Sequence, residues 1–428
     1  MISTRESLRF WLRLSLTAGV GNITARSLLQ GFGLPENIFQ RSTSELQALV
    51  SPSVIQQLRS IPLGLDESVE VTWEWLNTAA PSRMTTYRPT QMTGKSIGKR
   101  LLTLADTDYP SSLLLTPDPP LLLYALGQTQ HLRLLSPPAL QAPRAMAIVG
   151  SRNPTPQGAL NAHDFALSLS QAGLTVVSGL ALGIDTAAHK GALAGGTAAN
   201  PLHTVAVVGT GLDRVYPHQN HALAQHIAQH GLLLSEYPLN TPPVMANFPK
   251  RNRLIAGLSQ GCLVVEAATR SGSLITAKQA VDMGKEVFAI PGSIHTTVAK
   301  GCHDLIKQGA KLVDSAQDIL EEMKDLPAPS PSFGQQQTRP QNRAADDNMA
   351  FDNATTHQVH VNVQPNLDAP SIAAHLGYAP VGLDELQQRS GLPTSQLQAE
   401  LFQMELAGTL GRLPGGLYQQ LSRQGTRQ

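Results

Sequence analysis

Aromatic side chains make up only 4% of this 428-residue chain, cysteines number two, and the formal net charge is +1. Each shortage removes a class of protein. Cys262 and Cys302 lie outside any Cys-x-x-Cys pair, which excludes a disulfide-stapled scaffold and fits a reducing compartment. A charge near zero excludes binding of polyanions through bulk basicity, so any anion site has to be local. No run approaches the ~18 apolar residues that span a bilayer. Arg5, Arg9 and Arg13 interrupt the one early apolar stretch. A soluble, cytoplasmic protein without a secretory leader is therefore expected. Also missing are Gly-x-Gly-x-x-Gly, Gly-Lys-Ser/Thr and Gly-x-Ser-x-Gly, the turns of dinucleotide folds, Walker loops and hydrolase elbows.

The 41% hydrophobic content is ordinary for a globular chain and, at this length, supports roughly two to four domains. Residues 1–85 show helical spacing at 7–16 and 25–32, joined by Gly19-Val20-Gly21-Asn22. That is the outline of a helix-hairpin-helix (SAM-like) domain, whose glycine turn lets amides approach phosphate; a plain connection reads the same way. Residues 86–143 form a lead-in with one short strand at 121–126 and a proline-rich stretch at 137–143. From 145 to 324 short apolar strands (145–149, 175–177, 204–208, 232–234, 263–265, 287–290) alternate with amphipathic stretches (157–172, 184–195, 219–230, 273–283). This alternation predicts an α/β, Rossmann-like, doubly wound and mostly parallel sheet, with its ligand site beyond the carboxyl ends of the strands. The core domain is thus drawn at 86–325. Residues 326–369, rich in Pro, Gln, Asn and Ser, read as a disordered linker. Residues 370–421 recover the pattern of a winged helix.

Chemistry concentrates in four places. Phe248-Pro249-Lys250-Arg251-Asn252-Arg253 sets three cations in four positions and runs into an apolar anchor, 254–259. Three strand-to-helix turns accompany it: Gly150-Ser151-Arg152, Ser178-Gly179 leading to Gly183-Ile184-Asp185, and Glu266 followed by Arg270-Ser271-Gly272-Ser273. Glycine admits close backbone approach, serine donates, and a helix N-terminus offers free amides at the positive end of its dipole. Together these form an anion-binding shelf. Phe248 is placed either to stack on a base or to anchor the core. Asp185 is expected to cap its loop and Glu266 to brace amides or arginines. With no nucleophile or metal beside them, catalysis is not expected. His218, His221, His226 and His230 lack an intervening Glu or neighbouring Cys and read as solvated helix histidines, so no metal or cofactor is expected.

In order along the chain, Ala147 to Arg152, Ser178 to Asp185 with His189, Gly209-Thr210-Gly211-Leu212-Asp213 with Tyr216-Pro217, Ser235-Glu236-Tyr237-Pro238, Phe248 to Ser259, Arg270 to Ala277, Pro291-Gly292-Ser293 and Gly301 to Ile306 closely resemble the DNA-processing protein A family (DprA, or Smf). The resemblance covers about residues 100–320 strongly and the two ends more loosely. It implies a non-enzymatic protein that binds single-stranded DNA without regard to sequence, protects incoming DNA and helps load RecA recombinase in natural transformation. It also implies a homodimer through the core, with the RecA contact overlapping the dimer surface. Carried over by motif, the DNA pocket comprises Gly150, Ser151, Arg152, Ser178, Gly179, Lys250, Arg251, Asn252, Arg253, Ser271, Gly272 and Ser273. Leu182 departs from the pattern, since many relatives are basic there, and 198–202 reads as an inserted surface loop.

Binding built on about four phosphate-facing cations has a log–log salt slope near −3 on single strands. The winged helix is unlike a duplex reader: residues 394–406 carry Glu400 and Glu405 without Lys or Arg, and 370–421 hold two arginines against four carboxylates. A protein-contact or regulatory role suits it better. Two other readings stand beside the DNA-binding one. The first is a nucleotide phosphoribohydrolase-like Rossmann enzyme, although the Pro-Gly-Gly-x-Gly-Thr segment of those enzymes is missing here. The second is an adaptor that scaffolds proteins through its terminal domains.

Overall fold

The computed structural model describes residues 2, 4–78, 97–130, 132, 145–197, 202–324, 372–376, 380–413 and 415–421. The expected boundary at 85, the stretch 137–143, the linker 326–369 and most of the loop 198–202 lie outside the described residues. Leu202 itself is fully buried rather than on a surface loop.

Six helices open the chain: α1 (Arg5–Leu16), α2 (Asn22–Phe32), α3 (Pro35–Gln40), α4 (Thr43–Leu46), α5 (Pro52–Arg59) and α6 (Leu65–Asn77). Their ends follow from sequence. Thr4 caps α1 by accepting the Ser7 amide, and Ser42 with Glu45 makes a reciprocal capping box on α4. Gly19, at φ 78°, makes the turn between α1 and α2.

The remaining strands and helices are β1 (Gly98–Thr103), α7 (Ser111–Leu114), β2 (Leu122–Gly127), β3 (Ala145–Val149), α8 (Pro156–Gln171), β4 (Thr175–Ser178), α9 (Ile184–Gly195), β5 (Thr204–Val207), α10 (His221–His230), β6 (Leu232–Ser235), α11 (Asn247–Leu258), β7 (Gly261–Val264), α12 (Gly272–Asp282), β8 (Glu286–Ala289), α13 (Lys300–Lys307), β9 (Lys311–Leu312) and α14 (Ala316–Lys324). The nine strands form one sheet in the order β1-β2-β6-β5-β4-β3-β7-β8-β9. From β6 to β9 every pairing is parallel; β2 joins β6 and β1 joins β2 antiparallel. The order runs outward from β3 through β4, β5 and β6, then returns to the other side of β3 with β7. The carboxyl ends of β3 and β7 therefore flank the topological switch point, where open α/β sheets bind ligands.

Alternation along the strands divides the core. Ala145, Ala147 and Val149 face α11 and α12, through Leu254, Ile255, Leu258 and Ala277. Met146 and Ile148 face α8, α9 and α14, through Phe165, Leu169, Ile184 and Ile319. The opening helices share a core with the sheet: Leu8, Trp11, Leu12 and Leu28 belong to the same apolar cluster as Tyr124, Leu126, Ala206 and Leu233. The α1–α2 turn is docked as well, with the Asn22 carboxamide accepting the Leu121 amide at 3.3 Å.

A second, three-stranded sheet closes the chain, built from α15 (Ala373–Leu376), β10 (Val381–Gly382), α16 (Leu383–Ser390), α17 (Thr394–Leu406), β11 (Leu410–Leu413) and β12 (Leu417–Gln420). Leu386, Leu397, Leu401 and Leu410 form its core. It is the winged helix expected from the pattern.

Candidate nucleic-acid interface

The three turns expected to share one rim do so, and backbone bonds lock them together. The Ser151 amide donates to the Glu266 carbonyl at 2.7 Å, and the Ile184 amide donates to the Ser151 carbonyl at 3.1 Å. Neither link leaves room for side chains. A Cβ on Gly150 would stand 2.7 Å from Ile184 Cγ1 and 2.9 Å from the Glu266 carbonyl oxygen. Gly183, at φ 81°, sits against the backbone of Ser151 and Arg152.

Two carboxylates stiffen this assembly. Glu266 accepts the Thr155 amide at 2.9 Å and its hydroxyl at 2.6 Å. Burial raises its pKa, opposed by those Thr155 bonds. Asp185 accepts the amides of Gly179 and Ala181, both at 3.2 Å. Burial raises the Asp185 pKa more than the nearby Arg251 and the loop donors lower it. Both acids act as the sequence suggests, as braces.

The basic segment, expected as a cluster anchored by 254–259, is the first half of the helix α11. Helical spacing divides its cations. Arg251 shares a face with Leu254, Ile255 and Leu258, and only 4% of it is exposed. Its guanidinium donates to the Val207 carbonyl. Burial lowers its pKa to about 10, partly offset by Asp185 and reinforced by Arg152. Arg253 points another way. It pairs with Glu236, and with Asp118 through Nε at 3.2 Å and through a 2.6 Å bond to the Asp118 carbonyl. Two of the four cations counted from sequence are thus committed to the interior. Ser178 is also turned inward, donating to the Ile148 carbonyl at 2.7 Å. Gly179 is buried beneath Arg251.

What remains at the surface is compact. Arg152 is exposed, with its guanidinium carbon 5.7 Å from the centroid of the half-buried Phe248 ring in the first turn of α11. Lys250 is exposed two residues further along. Asn252 donates to the Gly272 carbonyl at 3.3 Å, tying α11 to the start of α12. There Ser271 caps the helix by accepting the Ser273 amide. Arg270, absent from the set chosen by motif, is exposed at the same turn. Tyr216 is the second addition. The residue is 48% exposed, and its ring centroid lies 5.7 Å from that of Phe248. In sequence nothing but its place in the Tyr216-Pro217 motif singled it out.

Cations clustered at a helix start oppose the helix dipole, so α11 tolerates them by giving Arg251 and Arg253 internal partners. The outcome is a positive rim beside the start of α12, where Gly272 is exposed and the helix dipole is positive, suited to phosphate. Among the described residues no group of three or more His, Cys, Asp or Glu side chains is placed to hold a metal, and no helix is long and apolar enough to cross a membrane. Leu182 is exposed next to Gly183, in an open cleft of about 500 Å³ that Pro156, His163 and Lys190 line together with Gly408 and Leu421 of the winged helix.

Comparison with known proteins agrees with this layout. Residues 100–324 match the family model of DNA recombination-mediator protein A, and residues 362–416 match the DprA winged helix domain. Protein Smf of Synechocystis sp. is 34% identical, over 96% of this chain and 98% of its own. The DNA processing protein DprA of Streptococcus pneumoniae is 46% identical over 52% of this chain and 73% of its own. An X-ray structure of DprA from Streptococcus pneumoniae superposes with a TM-score of 0.57 at 35% identity, covering 75% of this chain and 99% of that one. On the sheet, the rim and these matches together, the chain belongs to the DNA recombination-mediator protein A family, the DprA/Smf proteins.

Proposed function

We propose that this protein binds single-stranded DNA without regard to sequence, protects incoming DNA and helps load RecA recombinase in natural transformation and recombination. It would act in the cytoplasm, as a homodimer through the Rossmann-like core, and without catalysing a reaction of its own. The observation that supports this most is Arg152 over the Phe248 ring in the first turn of α11, the helix that also exposes Lys250, at the carboxyl edge of the sheet and with α11 tied through Asn252 to the start of α12. Phosphates of one strand would lie against Gly150, Ser151, Arg152, Lys250, Asn252, Arg270 and the Ser271-Gly272-Ser273 turn. Ser178, Gly179, Arg251 and Arg253 would position that surface rather than touch the strand.

Gel shift with oligo-dT and with duplex of equal length tests the binding. Tight single-strand binding lost in Arg152→Ala with Lys250→Ala upholds it; equal binding by the double variant sinks it. Strand loading by RecA on coated single strands, with and without the protein, tests the mediator role, and no stimulation removes that role while leaving the binding.

A further inference from the structure

We propose that Tyr216 is a base-stacking platform and the residue that lets this rim tell single strands from duplex. The inference rests on the single-strand reading above and deepens it. Arg152, Lys250, Arg270 and the amides of α12 address phosphate, which single strands and duplex share. Only contact with unstacked base faces separates the two. Met245 and Ile275 are exposed nearby but carry no ring, and among the described residues of the core domain Tyr216 is the large aromatic side chain left about half exposed.

Its surroundings hold it in place. Tyr216 packs on Phe248 with centroids 5.7 Å apart and planes 38° apart, and Phe248 carries the Arg152 guanidinium on its ring. The three groups form a run from the exposed cation through Phe248 to the half-exposed Tyr216. The base of the run is fixed from both sides. Asn247 donates to the Gly209 carbonyl at 3.2 Å, and the Tyr237 hydroxyl donates to the Asn247 carbonyl at 3.2 Å. A Cβ on Gly209 would lie 3.1 Å from Phe248 Cδ1, so a side chain there would crowd the stack. The loop carrying Tyr216 is tied down where the Asp213 carboxylate accepts the Asn240 amide at 2.8 Å. A ring preorganised in this way loses little freedom when a base lands on it.

The test uses the full chain with three probes of equal length: oligo-dT, an abasic strand and a duplex. Tyr216→Ala is expected to weaken oligo-dT binding roughly 5- to 150-fold, the span of one base–aromatic contact. The ratio of oligo-dT to duplex affinity should fall by the same factor, and the ratio of oligo-dT to abasic affinity with it. Tyr216→Phe should recover most of the loss. Tyr216→Trp should show indole fluorescence quenched by oligo-dT and not by the abasic strand. An equal loss on oligo-dT and the abasic strand, or no loss on oligo-dT, overturns the platform. Arg152→Ala separates this from the underlying reading, because it should weaken all three probes. Wild-type protein that binds none of them sinks both ideas, whereas wild-type binding with an unaltered Tyr216→Ala sinks only this one.

Discussion

The guanidinium of Arg251 occupies the space that a side chain on Gly179 would need. A β4 turn residue and an α11 residue, 72 positions apart by number, therefore constrain each other (251 − 179). Arg251 cannot simply swing away, since it is buried, bonded to the Val207 carbonyl and close to Asp185. Gly179→Ala should cost about 1–3 kcal/mol, the usual penalty of overfilling a packed site. Denaturant unfolding measures it. On an Arg251→Met background the same alanine should cost less, and that coupling identifies the clash as the cause.

A salt titration reads how many cations face the strand. Four gave an expected log–log slope near −3; with Arg251 and Arg253 turned inward, Arg152, Lys250 and Arg270 leave a slope of about −2. Arg152→Ala and Lys250→Ala should each lower its magnitude by about 0.7 and leave unfolding unchanged. A wild-type slope near −3 with unaffected single variants would mean that the strand runs over a different surface.

Arg253 makes a contrasting prediction. Its side chain and that of Glu236 are 12% and 11% exposed. Arg253→Ala leaves a buried carboxylate without its cation, at a cost of about 3–5 kcal/mol. Burial already raises the Glu236 pKa against the pull of Arg253. Thermal unfolding of Arg253→Ala beside Lys250→Ala should show a large loss in the first and none in the second, although both remove one positive charge from the same helix.

The alternation of short apolar strands with amphipathic stretches made the parallel sheet legible, because buried strands and covering helices have different periods. The shared rim followed from topology, since loops after parallel strands emerge on one edge. The fate of each cation did not follow. A run of three cations in four positions reads as a surface feature until a helix is placed on it. Only then does the spacing of Arg251 with Leu254, Ile255 and Leu258 turn one of them inward. β1 and β9 were missed for another reason. Among the described residues β1 pairs with β2 alone, and β9 with β8 alone over two residues. β9 is too short to carry a pattern, and β1 opens with the half-buried Lys99 and Arg100 and buries only its last three residues, so it shows no alternation. Tyr216 escaped notice because its use depends on Phe248, 32 residues later (248 − 216), which no local pattern reveals.

His189 should make the core sensitive to acid. It is fully buried on α9, with Nδ1 2.7 Å from the Thr204 hydroxyl. That hydroxyl donates to the Val176 carbonyl at 2.7 Å, so it accepts from His189, and the proton sits on Nδ1. Nε2 is buried without a partner among the described residues. Burial, aided by Arg251, lowers the pKa from 6.5 to about 3. Between those two values the unfolded chain binds a proton that the folded chain refuses. Stability therefore falls as pH drops from 6.5 toward 3, by at most about 1.4 kcal/mol per pH unit from this group. His189→Asn keeps an amide near the Nδ1 position and removes the titration. It should be less stable at neutral pH, because it leaves a void, yet its loss of stability on acidification should be shallower than that of the wild type. Denaturant unfolding at several pH values between 4 and 7 compares the two slopes, and parallel slopes would show that His189 takes up its proton without unfolding the sheet.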